Sequence, residues 1–153
     1  MNVHILGKSN NMISLLLDAL HEKTKKSLKI NIICNIFVDD DPPFKMEKIK
    51  SIEIKNIRHE EWSGNYENLL LGVIRVPTKK TVYDFFYESY QVNEQDYYKL
   101  IHPSSIISAQ SEIGSGVYIG PGSIVAPYVS IDNMVSINRR VSIGHHTRIG
   151  KFS

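Results

Sequence analysis

Residues 101–153 read IHPSSIISAQSEIGSGVYIGPGSIVAPYVSIDNMVSINRRVSIGHHTRIGKFS, and the spacing within this stretch decides the fold. Ile101, Ile107, Ile113, Ile119, Val125, Ile131, Ile137, Ile143 and Ile149 recur every six residues without a miss. Two places before each later member stands a small or β-branched residue: Ser105, Ser111, Val117, Ser123, Val129, Val135, Val141 and Thr147. Glycine follows the large residue at Gly114, Gly120, Gly144 and Gly150. A fixed short period of this kind marks a repeat architecture.

The period excludes the common alternatives. A 3.6-residue helical repeat does not keep every sixth position on one side. Isoleucine and valine favour strands. An open sheet would show unbroken alternation and no glycine at a fixed phase. Residues two apart on a strand share a face, so the small residue and the large one both point inward, and the rest of each hexad turns the chain. The expected object is a prism of short strands and bends. Its coils stack at about the ordinary strand spacing of 4.8 Å, with aliphatic rungs inside and the bend placed at the glycine.

With Ile143 inward, His145 and His146 fall at a corner, outside the prism. On composition alone they are two exposed turn histidines. The repeat resembles that of the hexapeptide-repeat acyltransferases, in the branch of sialic-acid O-acetyltransferases and bacterial nucleotide-sugar N-acetyltransferases. The resemblance implies a left-handed parallel β-helix of three hexads per coil, preceded by a small α/β domain. Handedness comes from the resemblance alone, since crossovers between parallel strands are usually right-handed. The resemblance further implies acetyl-CoA as acyl donor, a sugar or nucleotide-sugar acceptor, and a homotrimer at full length. "IGHH" falls where the family carries its general base followed by an acidic residue, which makes His145 the base and His146 its departure from the pattern. Imidazole ordinarily titrates near about 6.5 and can take the acceptor's proton near neutrality. Asn138 matches a family asparagine near the acceptor. Arg140 stands where small residues are usual and suits an anionic sugar.

The front of the chain alternates strand and helix signals. "NVHIL" before Gly7 reads as a strand. A helix is expected from Met12 to Lys26, with Met12, Leu15, Leu16, Ala19 and Leu20 on one face. The run from Ile30 to Val38 reads as a buried parallel strand, and Leu69 to Ile74 as a third. A second helix starts at Pro77 and Thr78 and carries Val82, Phe85, Phe86 and Tyr90. The segment "KMEKIKSIEIKNI" reads as a loop and a short edge strand. Together these give a small Rossmann-like parallel sheet with helices on its faces over residues 1–98, and an incomplete β-helix of about three coils over 99–153.

Ligands of such sheets bind at the carboxyl ends of the strands. Two candidates stand there. One is the turn with Gly7 and Ser9, where a helix N-terminus favours phosphate. The other is Asp39 and Asp40, whose carboxylates suit ribose hydroxyls. Each has a bland alternative as an ordinary turn. Arg75, after the third strand, is set aside as a surface residue.

Composition bounds the rest. Eighteen Lys and Arg stand against 16 Asp and Glu, which gives no electrostatic case for nucleic acid or a membrane surface. Cys34 is the lone cysteine and cannot form an internal disulfide. The start lacks the flanks of a signal peptide, so a cytoplasmic location is expected. The histidines have no carboxylate or cysteine companions at ligand spacing, so no metal is expected. The repeat stops just short of three coils, where the family continues. The raw coil edge predicts self-association. Two functions compete: an acetyl-CoA-dependent sugar O- or N-acetyltransferase of bacterial surface glycan biosynthesis, and a truncated, inactive nucleotide-sugar-binding or structural fragment of one.

Overall fold

A computed structural model describes residues 2–24, 27–34, 44–45, 47–64 and 66–153 of the 153-residue chain. The front segment is a five-stranded sheet. Its strands are β1 (Asn2–Leu6), β2 (Leu28–Cys34), β3 (Lys48–Ile49), β4 (Ile52–Arg58) and β5 (Leu69–Leu71), in the order β3-β4-β2-β1-β5. All neighbours are parallel except β3 and β4, so the sheet is mixed rather than purely parallel. Helix α1 (Asn10–Thr24) follows β1, and α2 (Val76–Tyr90) follows β5. They cover opposite faces. Val3, Ile5 and Ile30 pack with α1, while Leu6, Ile33 and Leu71 pack with Val82 and Phe86 of α2. Burial on both sides is why β5 is an unbroken apolar run and why apolar residues predominate in β1.

Three local expectations change. The α1 stripe is wider than a single helical face, because Ile13 and Leu17 are buried and Leu15 is only partly so. The helix is wedged between the sheet and Leu100 and Tyr118 of the repeat, so two sides need apolar cover. The segment after Lys48 is not a short edge strand. β4 pairs with β2 along seven residues, from Ile52 to Arg58, and only the two-residue β3 lies outside it. The alternation Ile52, Glu53, Ile54, Lys55, with the isoleucines buried and the charges exposed, was its signal. The β5 ladder ends at Leu71, short of Ile74, where the Gly72 amide bonds Leu6 O at 2.8 Å.

The repeat forms nine two-residue strands in three parallel stacks. The first face holds β6 (Leu100–Ile101), β9 (Tyr118–Ile119) and β12 (Ser136–Ile137). The second holds β7 (Ile106–Ile107), β10 (Ile124–Val125) and β13 (Ser142–Ile143), and the third β8 (Glu112–Ile113), β11 (Ser130–Ile131) and β14 (Arg148–Ile149). Ile101 pairs with Ile119 and Ile119 with Ile137, a step of 18 residues or three hexads per coil. These stacks fit the left-handed parallel β-helix. Every large rung residue from Ile101 to Ile149 belongs to one core cluster. The inward serines Ser105 and Ser123 are satisfied by carbonyls of residues that follow a rung: Ser105 Oγ donates to Gly120 O, and Ser123 Oγ to Asn138 O, each at 2.8 Å.

The bend is not at the glycine that follows each rung. The left-handed residues lie two places further on, at Gly116, Gly122, Tyr128, Met134, Arg140, His146 and Phe152. At Gly114 and Gly120 the rung-following glycine has a different cause, one that Gly144 and Gly150 do not share, since a Cβ on either would meet nothing within 4 Å. A Cβ on Gly114 would lie 2.5 Å from Asn133 Oδ1 and 2.7 Å from Asn133 N, so the adjacent coil leaves no room for one.

The β-helix docks on the front segment through its first face and one edge. Tyr118 packs in the α1 core. On the edge, Lys79 of α2 donates Nζ–H bonds to Met134 O, Phe152 O and Ser153 O at 3.3, 3.4 and 2.7 Å. Beside it, the Glu94 carboxylate accepts from Asn133 Nδ2 and Lys151 Nζ.

Candidate functional site

Two separate places carry chemistry. The first is a cleft of about 390 Å³ at the carboxyl ends of β1 and β5. Gly7 ends β1 in the left-handed region with φ +78°, and a Cβ there would meet Val82 Cγ1 at 2.8 Å. The Gly7 amide bonds Ile33 O, and the Ser9 amide bonds Gly72 O, which ties the turn to both neighbouring strands. Lys8, Ser9, Asn10 and Asn11 form one wall; Val73, Ile74, Arg75 and Thr78 form the other. The cleft therefore lies between the N-terminal turns of α1 and α2. Neither first turn holds an acidic residue. Helix N-termini carry partial positive charge and amides without intrahelical partners. With Lys8 and Arg75 on the walls, the cleft has the electrostatics of an anion site. Arg75, set aside at the sequence level, belongs to it. Its signal was position, a cation shortly after an apolar strand run and just before the proline in the first turn of a helix. Asp39 and Asp40 lie outside the described residues.

The second place is the edge between the second and third faces. His145 and His146 are both exposed there, separated from the end of β13 by one residue, Gly144. Their Nδ1 atoms are 2.9 Å apart and their rings are perpendicular. His146 has the left-handed backbone of the bend, φ 61°. Its ring lies 5.0 Å from that of Tyr128, inclined by 31°. Tyr128 holds the same phase one coil earlier, which is how the sequence could have shown it. A cavity of about 320 Å³ adjoins, lined by Gln110, Glu112, Tyr128, Val129, Ser130, His146 and Arg148.

Asn138 and Arg140 stand on a different edge, between the first and second faces. Asn138 Oδ1 accepts from the Arg139 amide at 2.8 Å, and the Arg140 amide bonds Pro121 O at 2.9 Å. Both residues are exposed. Within one chain the structure thus brings His145 and His146 together, brings Ser9 next to Lys8 and Arg75, and leaves Asn138 and Arg140 apart from the histidines across β13. Among the described residues, no three His, Cys, Asp or Glu side chains are grouped to hold a metal ion. No helix among them is long and apolar enough to cross a membrane.

No protein-family model matches the sequence, and no curated protein matches it. Solved structures do. The acetyltransferase domain of PglB from Neisseria gonorrhoeae FA1090 superposes with a TM-score of 0.73 at 13% identity, over 99% of this chain and 68% of that one. The same domain in complex with acetyl coenzyme A gives 0.68 at 13%, over 94% and 64%. PerB from Caulobacter crescentus, in complex with CoA and GDP-perosamine, gives 0.66 at 14%, over 99% and 66%. The chain spans about two thirds of the length of each. At such identities the shared property is architecture: this chain has the fold of the PglB acetyltransferase domain and of PerB.

Proposed function

We propose that this protein is a hexapeptide-repeat sugar acetyltransferase, moving the acetyl group of acetyl-CoA to the amine or hydroxyl of a nucleotide-linked sugar. The observation that carries the reading is an exposed, hydrogen-bonded imidazole pair on the edge of a β-helix. The reading agrees with the ligands of the neighbours that share the fold, acetyl coenzyme A in one and CoA with GDP-perosamine in another. Residues 1–98 serve as the Rossmann-like nucleotide-sugar domain and 99–153 as the β-helix. Gly7 and Ser9, with Lys8 and Arg75, hold the anionic phosphates in the cleft. Asp39 and Asp40 meet the ribose or base. Asn138 orients the acceptor, and Arg140 meets an anionic sugar.

In the reaction, the acceptor nitrogen or oxygen attacks the thioester carbonyl while His145 Nε2 takes its proton. The carbon–sulfur bond then breaks, and the thiolate leaves with that proton. Backbone amides of the coils suit the developing oxyanion. A general base of this kind contributes on the order of 100-fold or more. Packing of copies into a trimer fits Ile106, Ile124 and Tyr128, which are 66, 45 and 56% exposed on the outside of the prism.

The test is thiol release from acetyl-CoA in the presence of a panel of nucleotide-linked amino and hydroxy sugars. Turnover that needs an acceptor and falls at least about 100-fold in His145→Ala supports the reading. The cation-lined cleft alone favours the second reading, a nucleotide-sugar-binding module. Calorimetric binding that is lost in Arg75→Ala, with no turnover and no effect of His145→Ala, establishes the module and removes the enzyme.

A further inference from the structure

The contact between His145 and His146 constrains where hydrogens sit. Two imidazole Nδ1 atoms at 2.9 Å must share one hydrogen between them. One ring is therefore protonated at Nδ1, and the other presents a bare Nδ1 and carries its own hydrogen on Nε2. The two rings are held as opposite tautomers, and only one of them offers a bare Nε2. The perpendicular ring arrangement leaves both Nε2 atoms outside the shared contact. His146 is further held by its bend backbone and by the Tyr128 ring at 5.0 Å.

We propose that His146 is a positioning residue that locks His145 in the tautomer needed of a base. This rests on the reading of His145 as the general base, which selects His145 as donor of the shared hydrogen. His146 Nδ1 accepts from His145 Nδ1–H, and the His145 Nε2 lone pair then faces the acceptor. When the acceptor N–H or O–H bond breaks, its proton forms the Nε2–H bond of His145. The shared hydrogen passes from His145 Nδ1 to His146 Nδ1. His145 is left neutral and His146 becomes the imidazolium, against the Tyr128 ring. The charged groups that line the adjoining cavity with His146 are Glu112 and Arg148, of opposite sign, beside the neutral Gln110. Reverse passage releases the proton from His145 Nε2 to the departing thiolate. A neutral neighbour thus replaces a carboxylate by taking the charge rather than compensating it.

The experiment uses the full chain with ring-¹⁵N histidine, observed by two-bond ¹H–¹⁵N correlation at about pH 8, above the ordinary imidazole range. The expected spectrum shows His145 protonated at Nδ1 and His146 at Nε2. A single neutral hydrogen bond biases the tautomer by about tenfold. In His146→Ala that bias disappears, and His145 takes the Nε2–H form that free imidazole side chains favour. In His146→Asn the amide oxygen accepts the Nδ1–H and restores the lock. A wild-type His145 protonated at Nε2, or a His145 tautomer indifferent to His146→Ala, overturns the proposal. With substrates present, His146→Ala lowers kcat by about tenfold at unchanged KM, a fraction of the general-base contribution, and His146→Asn regains most of it. An unchanged kcat in His146→Ala also overturns it. The spectra need no turnover, so a locked but inactive chain defeats the acetyltransferase reading and leaves the lock standing.

Discussion

Lys79 offers a measurement of how the front segment is held to the β-helix. Its side chain is 1% exposed, and Nζ donates to the carbonyls of Met134, Phe152 and Ser153. Burial pulls the amine from the ordinary 10.5 to about 8. The unfolded chain binds that proton up to the ordinary value, so between about 8 and 10.5 it holds more protons than the folded chain. Stability from this group therefore rises with pH across that window. Below about pH 8, the folded state bears the full cost of a buried ammonium, about 3 kcal/mol. Lys79→Met removes that cost and also the donor. Ser153 O keeps the Ser136 amide at 2.8 Å. The other two carbonyls lose the ammonium, at about 1–3 kcal/mol each. Near pH 7 the two effects largely offset. As pH rises to about 9.5, the wild type gains about 2 kcal/mol on the variant. Urea unfolding of both chains at a series of pH values, followed by the fluorescence of Trp62, reads the difference. The tyrosines that titrate at high pH are common to both chains and cancel. Parallel stability curves, or a wild type that loses ground to Lys79→Met as pH rises, refute the reasoning.

Acid sensitivity has a different source. His4 is buried beside Trp62, neither ring nitrogen has a hydrogen-bond partner among the described residues, and burial lowers its pKa against the opposing charge of Glu67. The unfolded chain takes up the proton first, so stability falls as pH drops below about 6.5. His4→Phe flattens that limb, as Trp62 fluorescence at graded pH will show. Gly7→Ala combines a left-handed backbone with a 2.8 Å approach to Val82 Cγ1. It destabilises by about 1–3 kcal/mol, and adding Val82→Ala recovers the steric share in a double-mutant cycle. Ser123→Ala strips a donor from Asn138 O and an acceptor from the Val141 amide. Thermal unfolding detects the expected loss of about 1–3 kcal/mol.

Legibility followed the range of the interactions. The rungs from Ile101 to Ile149 were readable because one constraint, an inward aliphatic every sixth residue, repeats until no other period survives. The register of 18 residues needed the family resemblance, since six-residue spacing alone does not say how many faces close a coil. The rung-following glycines were visible, but the cause at Gly114 and Gly120 was misplaced. Sequence shows a small residue and suggests a bend, whereas the constraint at Gly114 is a backbone one coil away. The α1 stripe was misjudged in the same manner, because the helix shares its core with both the sheet and Leu100 and Tyr118 of the repeat, which local periodicity cannot reveal.

The candidate sites depend even more on distant pairing. The cleft is assembled from residues 8–11 and 73–78, brought together by β1 and β5 lying side by side. Arg75 is unremarkable in sequence because its significance is the second helix N-terminus facing the first. α2 then links this cleft to the β-helix physically. Thr78 lines the cleft, and the next residue, Lys79, grips the carbonyls at Met134, Phe152 and Ser153. An anion drawn into the cleft lies against the same helical turn that anchors the edge between the third and first faces. Filling the cleft with inorganic pyrophosphate should therefore slow amide exchange at Met134 and Ser136 as well as at Ser9. Protection confined to residues 8–11 and 73–78 would show that the cleft and the prism are mechanically independent.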